Sequence, residues 1–145
     1  MKAFLRSWAL VGAATSVLAG AAAPAAPVLV SGAFVQATAP GVPDASVYLT
    51  LRNKGARALV LTGGSTAAAR SVVPMQQMNM SGMTMMHDMT SVTVPAGATV
   101  VFRPGGDHLM LKGVRAPLKA GASVNVTLHF KGYAPLKVTL PVKRL

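Results

Sequence analysis

An all-β sandwich or barrel of short antiparallel strands is what this sequence predicts, and three observations carry the prediction. Runs rich in Val, Leu and Thr alternate with Gly/Pro turns about every 8 to 12 residues from Val28 to the C-terminus. In Val124-Asn125-Val126-Thr127-Leu128-His129-Phe130 the apolar and polar side chains alternate strictly, so one face is core and the other is wet. No stretch sustains a helical period, and Ser65 to Arg70 is at most one helical turn.

Taken in order, the chain begins with Lys2 and Arg6, then an uncharged Ala-rich run from Trp8 to Ala22, then small-residue contexts at Ala21-Ala22-Ala23 and Ala23-Pro24-Ala25. That pattern predicts a cleaved secretory signal peptide over 1–23 and a single domain over 24–145. The apolar run falls short of the ~20 residues that cross a bilayer, which argues for export and against stable membrane insertion. Predicted strands are Val28 to Val30, Ala33 to Thr38, Ser46 to Arg52, Ala58 to Thr62, Arg70 to Pro74, Met83 to Met89, Ser91 to Val94, Thr99 to Arg103, His108 to Lys112, Ser123 to Phe130 and Leu136 to Val142. The turns between them include Asn53-Lys54-Gly55, Gly63-Gly64, Ser81-Gly82 and Pro104-Gly105-Gly106. Tyr48, Leu49 and Leu51 read as packing residues, and His129 as a residue of the wet face.

Composition narrows the function classes. Fourteen Lys plus Arg face three Asp and no Glu, for a net charge of +11 that falls to +9 if Lys2 and Arg6 leave with the signal. The basic residues are scattered and aromatics are few, so nucleic acid is not the partner; a solvated basic surface, able to steer encounter with an acidic protein, is the reading. Cysteine is absent. This removes disulfides, dithiol redox chemistry, a cysteine nucleophile and a blue-copper thiolate centre. Three carboxylates and no discernible nucleophile–base arrangement argue against an enzyme.

The chemistry lies between Met75 and Met110. Seven of the nine methionines (Met75, Met78, Met80, Met83, Met85, Met86, Met89) fall within fifteen residues, His87 sits among them, and His108-Leu109-Met110 follows a Gly-rich turn. Thioethers are soft, neutral ligands suited to Cu(I), and imidazole joins them readily. On a strand, His108 and Met110 share a face while Leu109 packs the other way, so the triplet is half a site. Thioethers from Met75 to Met89, folded over it, would complete a three- or four-coordinate shell. The competing use of such a cluster is an adaptable hydrophobic docking surface.

The spacing is Met75, ten residues, Met86, twenty-one residues, His108, one residue, Met110. It resembles the H(M)-x10-M-x21-H-x-M signature of the PCu(A)C family of periplasmic copper chaperones. The resemblance extends through Ala45 to Asn53, Val94-Pro95-Ala96-Gly97, Pro104 to Leu111 and Pro117 to Gly121. It implies a cupredoxin-like Greek-key β-sandwich or barrel holding Cu(I) through Met75, Met86, His108 and Met110. Met75 stands where the family more often has His, which makes the implied shell three thioethers and one imidazole. Met85 and His87 are alternatives after a register shift, although their strand parity opposes that of Met86. The resemblance also implies a periplasmic carrier that passes copper to an oxidase subunit at the copper centre of a terminal cytochrome oxidase, or to another periplasmic copper protein; a monomer is expected. The other readings are an exported interaction module with a Met-rich docking loop, and a protein that buffers copper.

Overall fold

The structure is a computed structural model that describes residues 23–145, so all but the last residue of the predicted signal peptide lies outside the described residues. Ten strands follow in chain order: β1 (Val28–Gln36), β2 (Asp44–Asn53), β3 (Leu59–Ser65), β4 (Ala69–Met80), β5 (Met83–Asp88), β6 (Val92–Val94), β7 (Thr99–Phe102), β8 (His108–Val114), β9 (Ser123–Phe130) and β10 (Leu136–Lys143). No helix occurs among the described residues, in keeping with the predicted all-β class.

The strands are hydrogen-bonded in the order β5-β4-β8-β2-β1-β10-β9-β3-β6, β7 pairs with β2, and β3 also pairs with β4. This last contact closes seven strands into a barrel and leaves β5, β6 and β7 as additions to it. Neighbours are antiparallel except β1 and β10, which run parallel at Val35↔Val142. Closure abolishes the unpaired edges of the barrel proper. Its interior is filled by alternate residues of successive strands, with Leu51, Leu59, Leu61, Leu109, Leu111, Leu128 and Leu140 fully buried. The alternation read from Val124 to Phe130 is observed, with Val124, Val126, Leu128 and Phe130 all buried.

Three differences from the sequence reading go beyond one or two residues at a strand end. The two segments expected at Val28 to Thr38 are one strand, interrupted by a register shift between Ser31 and Phe34 where Gly32 takes a φ of 58°. Gly63-Gly64 is not a turn but the seam of the barrel: it lies inside β3, and Gly64 pairs with Val72 of β4 and Leu128 of β9. A Cβ on Gly64 would sit 2.5 Å from the Thr127 carbonyl oxygen, so only glycine lets β3 approach its neighbour this closely. Finally, β4 does not stop at Pro74 but runs on to Met80. The Pro74 carbonyl faces β5, where it accepts the Met89 N–H at 2.8 Å, so the missing proline N–H falls at the very end of the β4–β5 ladder and leaves the pairing of β4 with β8 intact.

Candidate metal centre

Register assembles the site. β4 and β8 pair so that Met75 lies directly opposite His108 and Val73 opposite Met110. Directly opposite residues of an antiparallel pair share a face, with Cβ atoms about 4.5–5.5 Å apart. Met75 and His108 are therefore immediate neighbours, and Met110, two residues along β8, is on the same face. All three are buried: Met75 is 8% exposed, His108 2% and Met110 9%. The opposite face of the same strands, carrying Leu109, Leu111 and Val72, is barrel core.

Met86 comes from the β4–β5 hairpin. It pairs with Gln77, two residues from Met75, and so shares the face of Met75, His108 and Met110. It is a diagonal neighbour of Met75, roughly 7–8 Å away between Cα atoms, within reach of a long side chain. Unlike the other three it is 50% exposed, as a residue at the mouth of a site would be. Met85 and His87 pair with Met78 and Gln76 and point to the other side of the hairpin.

The imidazole is held in one orientation. His108 Nδ1 lies 3.0 Å from the Gly106 carbonyl oxygen. A carbonyl can only accept, so Nδ1 carries a proton, and in that tautomer of the imidazole Nε2 is the nitrogen that offers a lone pair. That Nε2 is buried and has no hydrogen-bond partner. Leaving such an atom unsatisfied costs about 1–3 kcal/mol, and its place on a residue directly opposite Met75 fits a soft metal ion as the missing partner. Second-shell fixation of this type, a ligating histidine donating its other N–H to a backbone carbonyl, is the usual way a metal-binding ring is aimed.

Surrounding residues that the sequence did not single out complete the arrangement. Tyr48, expected only to pack, stands beside the imidazole with ring centroids 6.0 Å apart, and its hydroxyl donates to Gln36 Oε1 at 3.4 Å. Asp107 accepts the Gln77 N–H at 3.2 Å. The β4–β8 ladder would next pair Gln77 with Gly106, but the chain turns there. The Asp107 carboxylate takes one ladder partner while His108 Nδ1–H takes the other. Across β4, Asp88 and Lys112 form an ion pair at 2.6 Å on the face of Met75 and Met110. The general signal that could have found these residues is parity: Tyr48, Asp88 and Lys112 all share the face of His108 once register is known.

Asp107 thus ties the hairpin that carries Met86 to the turn that carries His108. Asp107→Ala is expected to release the Gln77 amide and speed its hydrogen exchange about tenfold, the equivalent of one hydrogen bond of ~1.4 kcal/mol. Exchange measured residue by residue on both proteins checks this, with unchanged protection at Leu109 as the internal reference.

Comparison with known proteins follows from this geometry. The family model described as "Putative lipoprotein LpqE-like" matches residues 28–142. The chain belongs to that family. It is the PCu(A)C family. Apo-DR1885 from Deinococcus radiodurans is 36% identical, covers 100% of this chain and 95% of its own, and superposes with a TM-score of 0.63. The CuI form of DR1885 is 34% identical over 86% of this chain and 82% of its own, with a TM-score of 0.65. A copper-bound PCuAC domain from PmoF2, 20% identical, shares the cupredoxin-like fold over 83% of this chain and 96% of its own at a TM-score of 0.70. A protein of Leifsonia xyli subsp. xyli, "Putative lipoprotein Lxx21020", is 35% identical over 138 residues, spanning 92% of this chain and 82% of its own length.

Proposed function

We propose that this LpqE-like protein is an exported carrier of Cu(I), and that Met75, Met86, His108 and Met110 are its ligands. The observation that carries the reading is the buried, partnerless Nε2 of His108, its ring aimed by the Gly106 carbonyl, on the strand face that also carries Met75 and Met110. A neutral donor set of three sulfurs and one nitrogen selects a soft monovalent ion. It also needs no ligand deprotonated beyond the one imidazole, so binding weakens only where that ring is protonated. DR1885, whose CuI form is known, supports the same cargo.

Delivery follows from the division between the four ligands. Met75, His108 and Met110 are fixed on two paired strands, whereas Met86 is exposed on an added hairpin. An acceptor therefore displaces Met86 first and the buried ligands afterwards. In this reading the acceptor is the copper centre of a terminal cytochrome c oxidase or another periplasmic copper protein, and the basic surface steers the encounter. The carrier acts as a monomer and is not an enzyme, because a shell filled by protein ligands leaves no position for substrate. Export rests on the signal-like segment 1–23, with 24–145 as the functional domain, and is supported by the lipoprotein descriptions of its relatives.

X-ray absorption on the Cu(I)-loaded protein tests the assignment. Three sulfur neighbours and one nitrogen are expected; two nitrogens would bring in His87 and overturn the ligand set. Met75→His is a further check. A second imidazole opposite His108 is expected to tighten Cu(I) binding near neutral pH and to steepen its loss in acid, because each imidazole must be deprotonated to bind. Competition titrations at several pH values measure both, and a profile identical to that of the natural protein would show that Met75 does not touch the ion.

A further inference from the structure

The β4–β5 hairpin has two faces, and the proposed centre uses one. Pairing runs without interruption through Gln76↔His87, Met78↔Met85 and Met80↔Met83. These six residues share a single face, opposite the one that carries Met75 and Met86. Four thioethers and one imidazole thus lie on three alternate rungs of the ladder beyond the end of the barrel core. Met80, Met83 and Met85 are 54%, 69% and 42% exposed, and His87 is exposed beside them. The Ser81-Gly82 turn locks the register, both residues having the positive φ that a two-residue hairpin requires.

Exposed apolar side chains on an edge hairpin favour aggregation. Leu, Ile or Val would serve packing as well as Met, and Lys or Thr would serve solubility better. The residue type repeated on this face is one whose distinguishing property is a soft lone pair. Each residue on the central rung has long side chains directly opposite and on the adjoining rungs, the spacing at which thioethers from both strands converge on one ion.

We propose that this second face of the hairpin, which continues the core-facing side of β4 past the end of the barrel, is an outer site for Cu(I), centred on the Met78–Met85 pair and completed by Met83 and His87. It is open to solvent, so it binds more weakly than the buried centre and exchanges faster. The site goes beyond the carrier reading and does not depend on it, since it shares no ligand with Met75, Met86, His108 and Met110. Copper remains Cu(I) throughout, and no electron or covalent bond is transferred.

The test is a titration of the full exported chain with Cu(I) under anaerobic reducing conditions, followed by NMR of 13C-labelled methionine methyl groups. The first equivalent is expected to shift Met75 and Met110, and the second to shift Met78, Met83 and Met85. The near-isosteric variant Met78→Leu/Met83→Leu/Met85→Leu should lose the second ion and keep the first. His108→Ala should weaken the first while the outer methionines still respond. Saturation of the natural protein at one ion, with the outer methyl signals unmoved at excess copper, would overturn the second site and leave the inner one standing. Retention of both ions by the triple leucine variant would overturn it equally. Loss of inner binding alone would count against the carrier reading and not against this one.

Discussion

His108→Ala is expected to remove tight Cu(I) binding while leaving the apo protein folded. Saturating one site with free Cu(I) a thousandfold above Kd stabilises the native state by ~4 kcal/mol. For a domain of this size that is a rise in Tm of roughly 12–20 °C. The variant should lose most of this copper-induced rise. Its apo stability should change far less, because two effects oppose each other: removing the ring opens a cavity, but it also removes a buried nitrogen whose missing hydrogen bond costs about 1–3 kcal/mol. A purely structural histidine would behave in the reverse manner, with a large loss in the apo form and an intact response to copper. Thermal unfolding with and without Cu(I) distinguishes the two outcomes.

Gly64→Ala is expected to produce the largest loss of stability among single-methyl additions. The added Cβ would meet the Thr127 carbonyl oxygen at 2.5 Å and lie 3.5 Å from the Val72 Cβ. The first contact is with backbone, so relief requires β3 and β9 to separate at the seam that closes the barrel. A cost of about 3 kcal/mol or more follows for such overpacking, which lowers the urea midpoint by roughly 1–2 M. Gly82→Ala is the matched control. That residue also has a positive φ, 77°, but nothing lies within 4 Å of its added Cβ, so only the ~1 kcal/mol of left-handed strain applies. Equal losses in the two variants would mean that the seam yields to an added methyl without separating β3 from β9.

The sequence could announce the class of fold because strand alternation is a local signal. Val124 to Phe130 shows its buried face within seven residues, and the structure buries that face. It misplaced Gly63-Gly64 because glycine means a turn in most contexts, and the alternative, close approach of two other strands, depends on partners distant in the chain. Pro74 was read as a strand end for a similar reason. Whether a proline breaks a ladder depends on which neighbour its missing N–H would face, and here that neighbour is leaving the sheet.

The candidate centre divides along the same line. From sequence alone came the Met- and His-rich stretch, the absence of cysteine, the common face of His108 and Met110, and a ligand spacing that pointed to the PCu(A)C family. Parity within a strand is fixed by backbone geometry, and no fold is needed to know it. Tertiary structure alone decided that Met75 stands opposite His108, that Gly106 aims the ring and leaves Nε2 free, and that Tyr48 borders it. It also decided that Met85 and His87 face away from Met86 and Met75. These facts depend on register between strands, which is set by where turns fall and by which faces the whole barrel buries. A chain can state which side chains it has and how they alternate; only the assembled sheet determines which of them meet.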